Sequence, residues 1–90
     1  MEQHPKIMVV DDNTKIQFAF HTLLEKEGCV IIVAKNGSEA MQRFTQKKPQ
    51  AVFLDISLPD SNGLDILKQL KALNPTIPVI VISKIGRAHV

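Results

Sequence analysis

Short apolar runs alternate with amphipathic stretches along this chain. Apolar, largely β-branched runs at 6–11, 29–34, 51–55 and 78–83 are typical of short strands that are buried on both faces. Between them, residues 14–27, 38–46 and 63–73 repeat apolar side chains at helical spacing. Strands that alternate with helices in this way predict a parallel sheet with right-handed crossovers, in the order βαβαβαβ.

Polar residues and glycines mark the predicted helix ends. Thr14 and Gln17 have the spacing of a capping box, and Gly28 is typical of a helix C-terminus. Asn36 is predicted to cap the second helix, with Glu39 at the reciprocal position. The predicted buried faces are Ile16, Phe20, Leu23 and Leu24 in the first helix, Ala40, Met41 and Phe44 in the second, and Leu64, Leu67 and Leu70 in the third.

The amino-acid composition further restricts the class of protein. The chain has 90 residues, enough for one small domain, and its 44% hydrophobic and 22% charged content is typical of a globular protein. The net charge of +2 comes from scattered Lys and Arg residues, which argues against direct nucleic-acid binding. One cysteine excludes an internal disulfide, and no apolar run is long enough to span a membrane. The polar start does not resemble a signal peptide, so the predicted location is the cytoplasm.

Acidic residues stand where two of the predicted strands end. Asp11 and Asp12 close the first strand and Asp55 closes the third. If these strands are neighbours, the three carboxylates converge at the carboxyl edge of the sheet, where ligands bind in α/β folds. The negative charges of such a cluster repel one another. A bound Mg²⁺ would offset this repulsion, since Mg²⁺ takes oxygen ligands and keeps several waters. The alternative is that Asp11-Asp12 is an ordinary loop pair.

A hydroxyl in a corresponding position favours the site. Ser83 ends the fourth apolar run, where it could donate a hydrogen bond to a phosphoryl oxygen on Asp55. An aspartate beside Mg²⁺ can act as a nucleophile and form an acyl phosphate. The strand ends therefore predict two metal-binding acids, one nucleophilic acid and one hydroxyl, and the reaction class is phosphoryl transfer to Asp55.

In five segments the chain resembles the receiver domains of bacterial two-component response regulators. The segments are Val9-Val-Asp-Asp-Asn13, Asn36-Gly-Ser-Glu-Ala40, Phe53-Leu-Asp-Ile-Ser-Leu-Pro-Asp60, Gly63-Leu64 and Pro78-Val-Ile-Val-Ile-Ser83. The resemblance implies a flavodoxin-like, doubly wound α/β fold with strand order 2-1-3-4-5. It also implies that Asp55 is the phosphoacceptor for a histidine kinase or phosphotransfer domain. Asp12 would bind Mg²⁺ directly, Asp11 mainly through water and Ser57 through its backbone carbonyl, while Ser83 would be the switch hydroxyl.

The chain also departs from the family pattern. Lys84 stands where a small residue follows the switch hydroxyl, and the pattern continues with a helix, a fifth strand ending in lysine and a fifth helix. We therefore expect a partial receiver domain at 1–84, with strand order 2-1-3-4 and an output domain downstream. The residues Ile-Gly-Arg-Ala-His-Val at 85–90 match the translation of a common sequencing adapter, so they are expected to be a non-native tail.

Three functions compete at this point. The first is a phosphoacceptor signalling domain, which assists its own phosphorylation and is not an enzyme in the ordinary sense. The second is a haloacid-dehalogenase-type phosphatase, which would need an acid two residues after the nucleophile, where this chain has Ser57. The third is a receiver-like interaction scaffold that is never phosphorylated, and the acidic trio disfavours it.

Overall fold

The fold is known from a computed structural model that describes residues 4–58 and 61–82. Within them the chain alternates strand and helix, as the sequence predicts. The elements are β1 Lys6–Val10, α1 Thr14–Lys26, β2 Val30–Ala34, α2 Gly37–Lys47, β3 Ala51–Asp55, α3 Gly63–Leu73 and β4 Val79–Ile82.

The four strands form one parallel sheet in the order β2-β1-β3-β4, which confirms the predicted order. The chain leaves β1, forms β2 at one side, and then crosses to β3 at the other side of β1. This change of direction between β1 and β3 is the topological switch point at which α/β sheets bind ligands. In the register, Val10 pairs with Leu54, so the carboxyl ends of β1 and β3 lie level with each other.

Helices cover both faces of the sheet, but unequally. On one face, α2 and α3 close over Met8, Val10, Val52 and Leu54, all of which are fully buried. On the other face lies α1, which has no buried residue of its own. Its main aromatic contact is between Phe20 and Phe53 of β3, whose ring centroids are 4.8 Å apart. The doubly wound arrangement is confirmed, and its main hydrophobic core lies on the α2/α3 side.

Asparagine caps all three helices. Asn13, Asn36 and Asn62 each accept hydrogen bonds from backbone N–H groups of the first turn, which satisfies donors that have no partner within the helix. The predicted capping box at Thr14 and Gln17 is therefore wrong, because Asn13 is the N-cap and its side chain already accepts from Lys15 and Ile16. The Asn36 cap is confirmed.

Two predicted core positions are also wrong. Leu23 is 62% exposed and Leu64 is 58% exposed, although both fit the apolar stripes of their helices. In α3 the buried residues are Gly63, Ile66 and Leu70, and Leu67 packs against the core, so of the predicted stripe only Leu64 lies outside it. Gly63, at the start of α3, packs closely against Ile56.

Some predicted features lie outside the described residues. They include Ser83, Lys84 and the tail at 85–90, along with Pro59 and Asp60. Of the helices that the structure does describe, none has the length and apolar character needed to cross a membrane.

Candidate phosphoacceptor and metal site

Three carboxylates meet at the carboxyl ends of β1 and β3. Asp11 directly follows β1 and Asp55 is the last residue of β3, and the pairing of Val10 with Leu54 brings the two acids side by side. One carboxylate oxygen from each of Asp11, Asp12 and Asp55 lies within 4.8 Å of the other two. The predicted convergence of these three side chains therefore occurs.

The three acids differ in exposure. Asp11 and Asp55 are fully buried, and they are the buried charged residues of the described chain, whereas Asp12 is exposed. Asp12 is therefore the member of the cluster that solvent reaches, while the fold encloses the two buried acids.

The main chain orients both buried carboxylates in the same way. The N–H of Asn13 donates to Oδ1 of Asp11 at 2.9 Å, and the N–H of Ser57 donates to Oδ1 of Asp55 at 2.8 Å. Each acid thus accepts from the residue two positions later, which is the Asx turn that aspartate favours where a chain leaves a strand. These backbone N–H bonds help to fix the side-chain torsions of both acids.

The main chain of Asp11 is held as well. Its N–H donates to the carbonyl of Ala34 at 2.9 Å, which extends the β1–β2 ladder by one residue. Its carbonyl accepts a hydrogen bond from Nε2 of Gln17, one turn into α1. The acid therefore has contacts to the sheet on one side and to α1 on the other.

The start of α3 approaches the backbone of the residue after Asp55 closely. A Cβ atom added to Gly63 would lie 2.4 Å from Cα of Ile56, the residue that follows Asp55. Real Cβ atoms essentially never come closer than 3.0 Å, so only glycine fits here. The first residue of α3 is thus packed directly against the loop that carries the candidate acceptor.

The donor set fits a hard divalent cation. For the buried pair Asp11 and Asp55, Coulomb repulsion at about 4.8 Å is roughly 3–4 kcal/mol at an effective dielectric of 20. An all-oxygen, solvent-open group of carboxylates is the environment that Mg²⁺ prefers, since it keeps part of its water shell. The residues present therefore fit Mg²⁺, with Asp11, Asp12 and Asp55 as its holders.

The described residues also contain grooves away from the acids. One of about 600 Å³ lies at the amino ends of the strands, where Phe44, Leu73 and Ile77 line it. A smaller one lies between the starts of α2 and α3. Neither groove is lined by Asp11, Asp12 or Asp55.

The family model for the response regulator receiver domain matches residues 7–89 of this chain. The chain belongs to the response regulator receiver domain family. The match includes both strands that end in the candidate acids and all three helices. The resemblance expected from the five sequence segments is thereby confirmed.

Relatives and solved structures agree with this membership. The chain is 35% identical over 81 residues to sporulation initiation phosphotransferase F of Bacillus subtilis, covering 90% of this chain and 65% of that protein. It is 30% identical over 83 residues to the chemotaxis protein CheY of Thermotoga maritima, covering 91% of this chain and 69% of the relative. The crystal structure of the receiver domain of NtrX from Brucella abortus superimposes with a TM-score of 0.79 at 34% identity, over 83% of this chain and 64% of that one. This chain thus spans about two thirds of these receiver relatives.

The sequence predicted the three acids of this site but not the groups that hydrogen-bond to them. The roles of the Asn13 and Ser57 N–H groups follow from a detectable signal, an aspartate at a strand end with two residues of loop after it. The contact of Gln17 was missed because its spacing from Thr14 favoured a capping box. Ser57 is exposed beside Asp55, and its predicted use of the backbone carbonyl as a metal ligand stays a prediction.

Proposed function

We propose that this chain is the phosphoacceptor part of a two-component response regulator and that Asp55 receives the phosphoryl group. The observation that carries the proposal is the group of Asp11, Asp12 and Asp55 with carboxylate oxygens within 4.8 Å, in a chain of the receiver family. The name of the Bacillus relative, a phosphotransferase, supports the same reaction class.

In this proposal, an oxygen of the Asp55 carboxylate attacks the phosphorus of a phosphohistidine. The new O–P bond forms as the N–P bond breaks, and the electron pair of that bond stays on the leaving imidazole. Bound Mg²⁺ would neutralise charge on the phosphoryl oxygens. The Ser57 N–H holds Oδ1 of Asp55, so the carboxylate is oriented before the donor arrives. Asp11 and Asp12 hold the cation, with Asp12 on the exposed side.

The proposal also assigns a role to Ser83, names the partners and states what kind of protein the chain is. Ser83, which follows the β4 residue paired with Asp55, would be the switch hydroxyl that bonds a phosphoryl oxygen. The chain would act in the cytoplasm, where a histidine kinase or a phosphotransfer domain would supply the phosphoryl group and an output domain would read the result. The chain itself would act as a signalling phosphoacceptor and not as a turnover enzyme.

Incubation of the whole chain with Mg²⁺ and a small acyl phosphate or phosphoramidate tests the proposal. Intact-mass measurement should show one added phosphoryl group that is stable to acid and labile to base. Asp55→Asn should abolish it, since an amide cannot form the acyl phosphate. Asp65→Asn, which changes an exposed aspartate in α3 outside the site, is the matched control and should be labelled like the wild type. Equal labelling of Asp55→Asn and wild type would falsify the assignment.

The same experiment separates the alternatives left by the sequence. A scaffold that is never phosphorylated predicts no label in any variant. A dehalogenase-type phosphatase predicts steady release of phosphate from the donor with little retained label, and Ser57 in place of its second acid argues against it. Family membership argues against both.

A further inference from the structure

We propose that Gln17 is a positioning residue that sets the direction of Asp12 relative to Asp11 and so tunes the affinity of the site for Mg²⁺. The inference rests on the proposed function, because it assumes that the acids hold this cation. Gln17 belongs to α1, and its carboxamide donates to the main-chain carbonyl of Asp11.

The first argument is that α1 has no need of the Gln17 side chain. The backbone N–H of Gln17 already donates to the carbonyl of Asn13 at 3.0 Å. The Asn13 side chain caps the donors of Lys15 and Ile16. The Gln17 carboxamide is therefore directed away from its own helix, to the carbonyl of Asp11 six residues earlier.

The second argument comes from the geometry of the peptide group. The carbonyl of Asp11 and the N–H of Asp12 belong to one planar unit, so a contact that holds the carbonyl holds the whole plane. The other side of Asp11 is held by its N–H bond to Ala34. The bond to Ala34 and the Gln17 contact thus hold the peptide groups on both sides of Asp11, and the second of these groups leads into Asp12.

The third argument is the difference between the two acids. Asp11 is buried and its carboxylate accepts from the Asn13 N–H, whereas Asp12 is exposed. The peptide held by Gln17 is thus the link that ties the more exposed acid to the buried one. Loss of this link should raise the cost of bringing Asp12 into position for the cation.

The expected effect is a moderate loss of affinity. Groups bonded to a metal-ligating side chain typically change affinity by about 10- to 100-fold when removed. Gln17 acts through one peptide plane, so replacing it should raise the Kd for Mg²⁺ by about 3- to 10-fold, below that range.

Gln17→Met is the test variant, because Met has nearly the same length and volume but no N–H donor. Gln42→Met, at an exposed position of α2, is the matched control. The whole chain is titrated with MgCl₂ by calorimetry, and thermal unfolding is followed with and without Mg²⁺. A positioning role predicts a weaker Kd and a smaller Mg²⁺-induced rise in Tm for Gln17→Met, with Gln42→Met like the wild type. A drop in Tm with unchanged Kd would mean that Gln17 only stabilises α1, and it would overturn the proposal.

A second measurement needs no variant. In ¹⁵N NMR spectra of the wild-type chain, the side-chain NH₂ resonances of Gln17 should shift on Mg²⁺ addition, and those of Gln42 should not. A Gln17 side chain that resembles exposed glutamines and ignores Mg²⁺ would overturn the inference even if the Met variant fails to fold. Absence of Mg²⁺ binding by the wild-type chain would overturn the proposed function together with this inference. Binding that is equal in wild type and Gln17→Met would overturn the inference alone.

Discussion

Replacing Gly63 by alanine should damage both the stability of the fold and the metal site. The Cβ of alanine would lie 2.4 Å from Cα, 2.8 Å from Cβ and 2.9 Å from the carbonyl oxygen of Ile56. None of these atoms is the end of a flexible side chain, so the backbone itself must give way. Restoring an ordinary contact of 3.4 Å requires a displacement of about 1 Å, which must come from α3 or from the loop after Asp55.

Two opposing free-energy terms decide whether Gly63→Ala stabilises or destabilises the fold. Alanine in a helix is favoured over glycine by about 0.5–1 kcal/mol, which would stabilise the variant. Overpacking against a rigid neighbour costs about 1–3 kcal/mol and can cost more. The second term is larger, so Gly63→Ala should lower the free energy of unfolding by about 1–2 kcal/mol. The Asp55 loop should move with Ile56, which should also weaken Mg²⁺ binding by about 10-fold or more, since small misplacements in a site are expensive.

Two other glycines of the chain serve as controls. Gly28 has a φ of +82° but no atom within 4 Å of an added Cβ, so Gly28→Ala should cost about 1 kcal/mol from backbone strain alone. Its Mg²⁺ affinity should not change. Gly37→Ala would meet side-chain atoms only, the Ser61 hydroxyl at 3.1 Å and the end of Ile66 at 3.2 Å, which need to shift by a few tenths of an ångström, so its loss of stability should be smaller than that of Gly63→Ala.

Urea unfolding followed by circular dichroism gives the stability of each variant, and Mg²⁺ titration gives its affinity. The reasoning predicts that Gly63→Ala loses both, that Gly28→Ala loses stability only, and that Gly37→Ala loses less stability than Gly63→Ala and keeps its Mg²⁺ affinity. A Gly63→Ala variant as stable as the wild type would refute the steric argument. Equal losses of Mg²⁺ affinity in Gly63→Ala and Gly28→Ala would refute the claim that the contact with Ile56 positions Asp55.

Four further outcomes are expected. Ser57→Ala should retain Mg²⁺ affinity, whereas Ser57→Pro, which lacks the N–H bonded to Asp55, should lose it in the same titration. Asn62→Ala removes the cap of α3 and should cost about 1 kcal/mol in urea unfolding. The pKa of Glu39 is held below its ordinary value mainly by the hydrogen bond from the Lys35 N–H, with Arg43 adding to the effect. Its contribution is therefore present above the unfolded-state pKa and lost as the pH falls through the folded-state pKa, so Glu39→Gln should flatten the acid side of the stability profile relative to wild type. Ile80 and Val81 of β4 are 44% and 42% exposed, so we expect the chain to self-associate through this apolar surface. Ile80→Lys should then reduce the association measured by light scattering, and unchanged association would contradict this expectation.

The sequence predicted the order of the elements and the meeting of the acids because both follow from local patterns. Short apolar runs that end in Asp11 and Asp55 indicate strands and their carboxyl ends without any knowledge of tertiary contacts. A parallel sheet then brings those ends to the same edge. The prediction of strand order came from the family resemblance, and the register that sets Asp11 level with Asp55 was visible only in the structure.

The errors arise because burial and capping depend on contacts that the apolar spacing does not show. Leu64 fits the apolar stripe of α3 as well as Ile66 does, yet Ile66 is buried and Leu64 is exposed where α3 packs on the rest of the fold. Likewise, Gln17 fits a capping box by spacing, but Asn13 takes the cap and leaves its carboxamide for Asp11. Which residue caps a helix and which residue is buried depend on contacts made in the folded structure, and the spacing of apolar residues alone does not show these contacts.

The unequal covering of the two sheet faces has a consequence for how long the site stays assembled. Proteins open in local units whose free energies follow the apolar surface that each unit buries, and α1 has no buried residue while α2 and α3 close the main core. Asn13 and Gln17, which hold Asp11, both move with α1. Transient detachment of α1 would therefore remove the Asn13 and Gln17 contacts of Asp11, while its N–H bond to Ala34 and the place of Asp55 in β3 remain. The fraction of molecules ready to bind a cation would then depend on how often α1 opens. Hydrogen exchange should show α1 amides opening before those of β1 and β3, with Mg²⁺ slowing the exchange of α1 most.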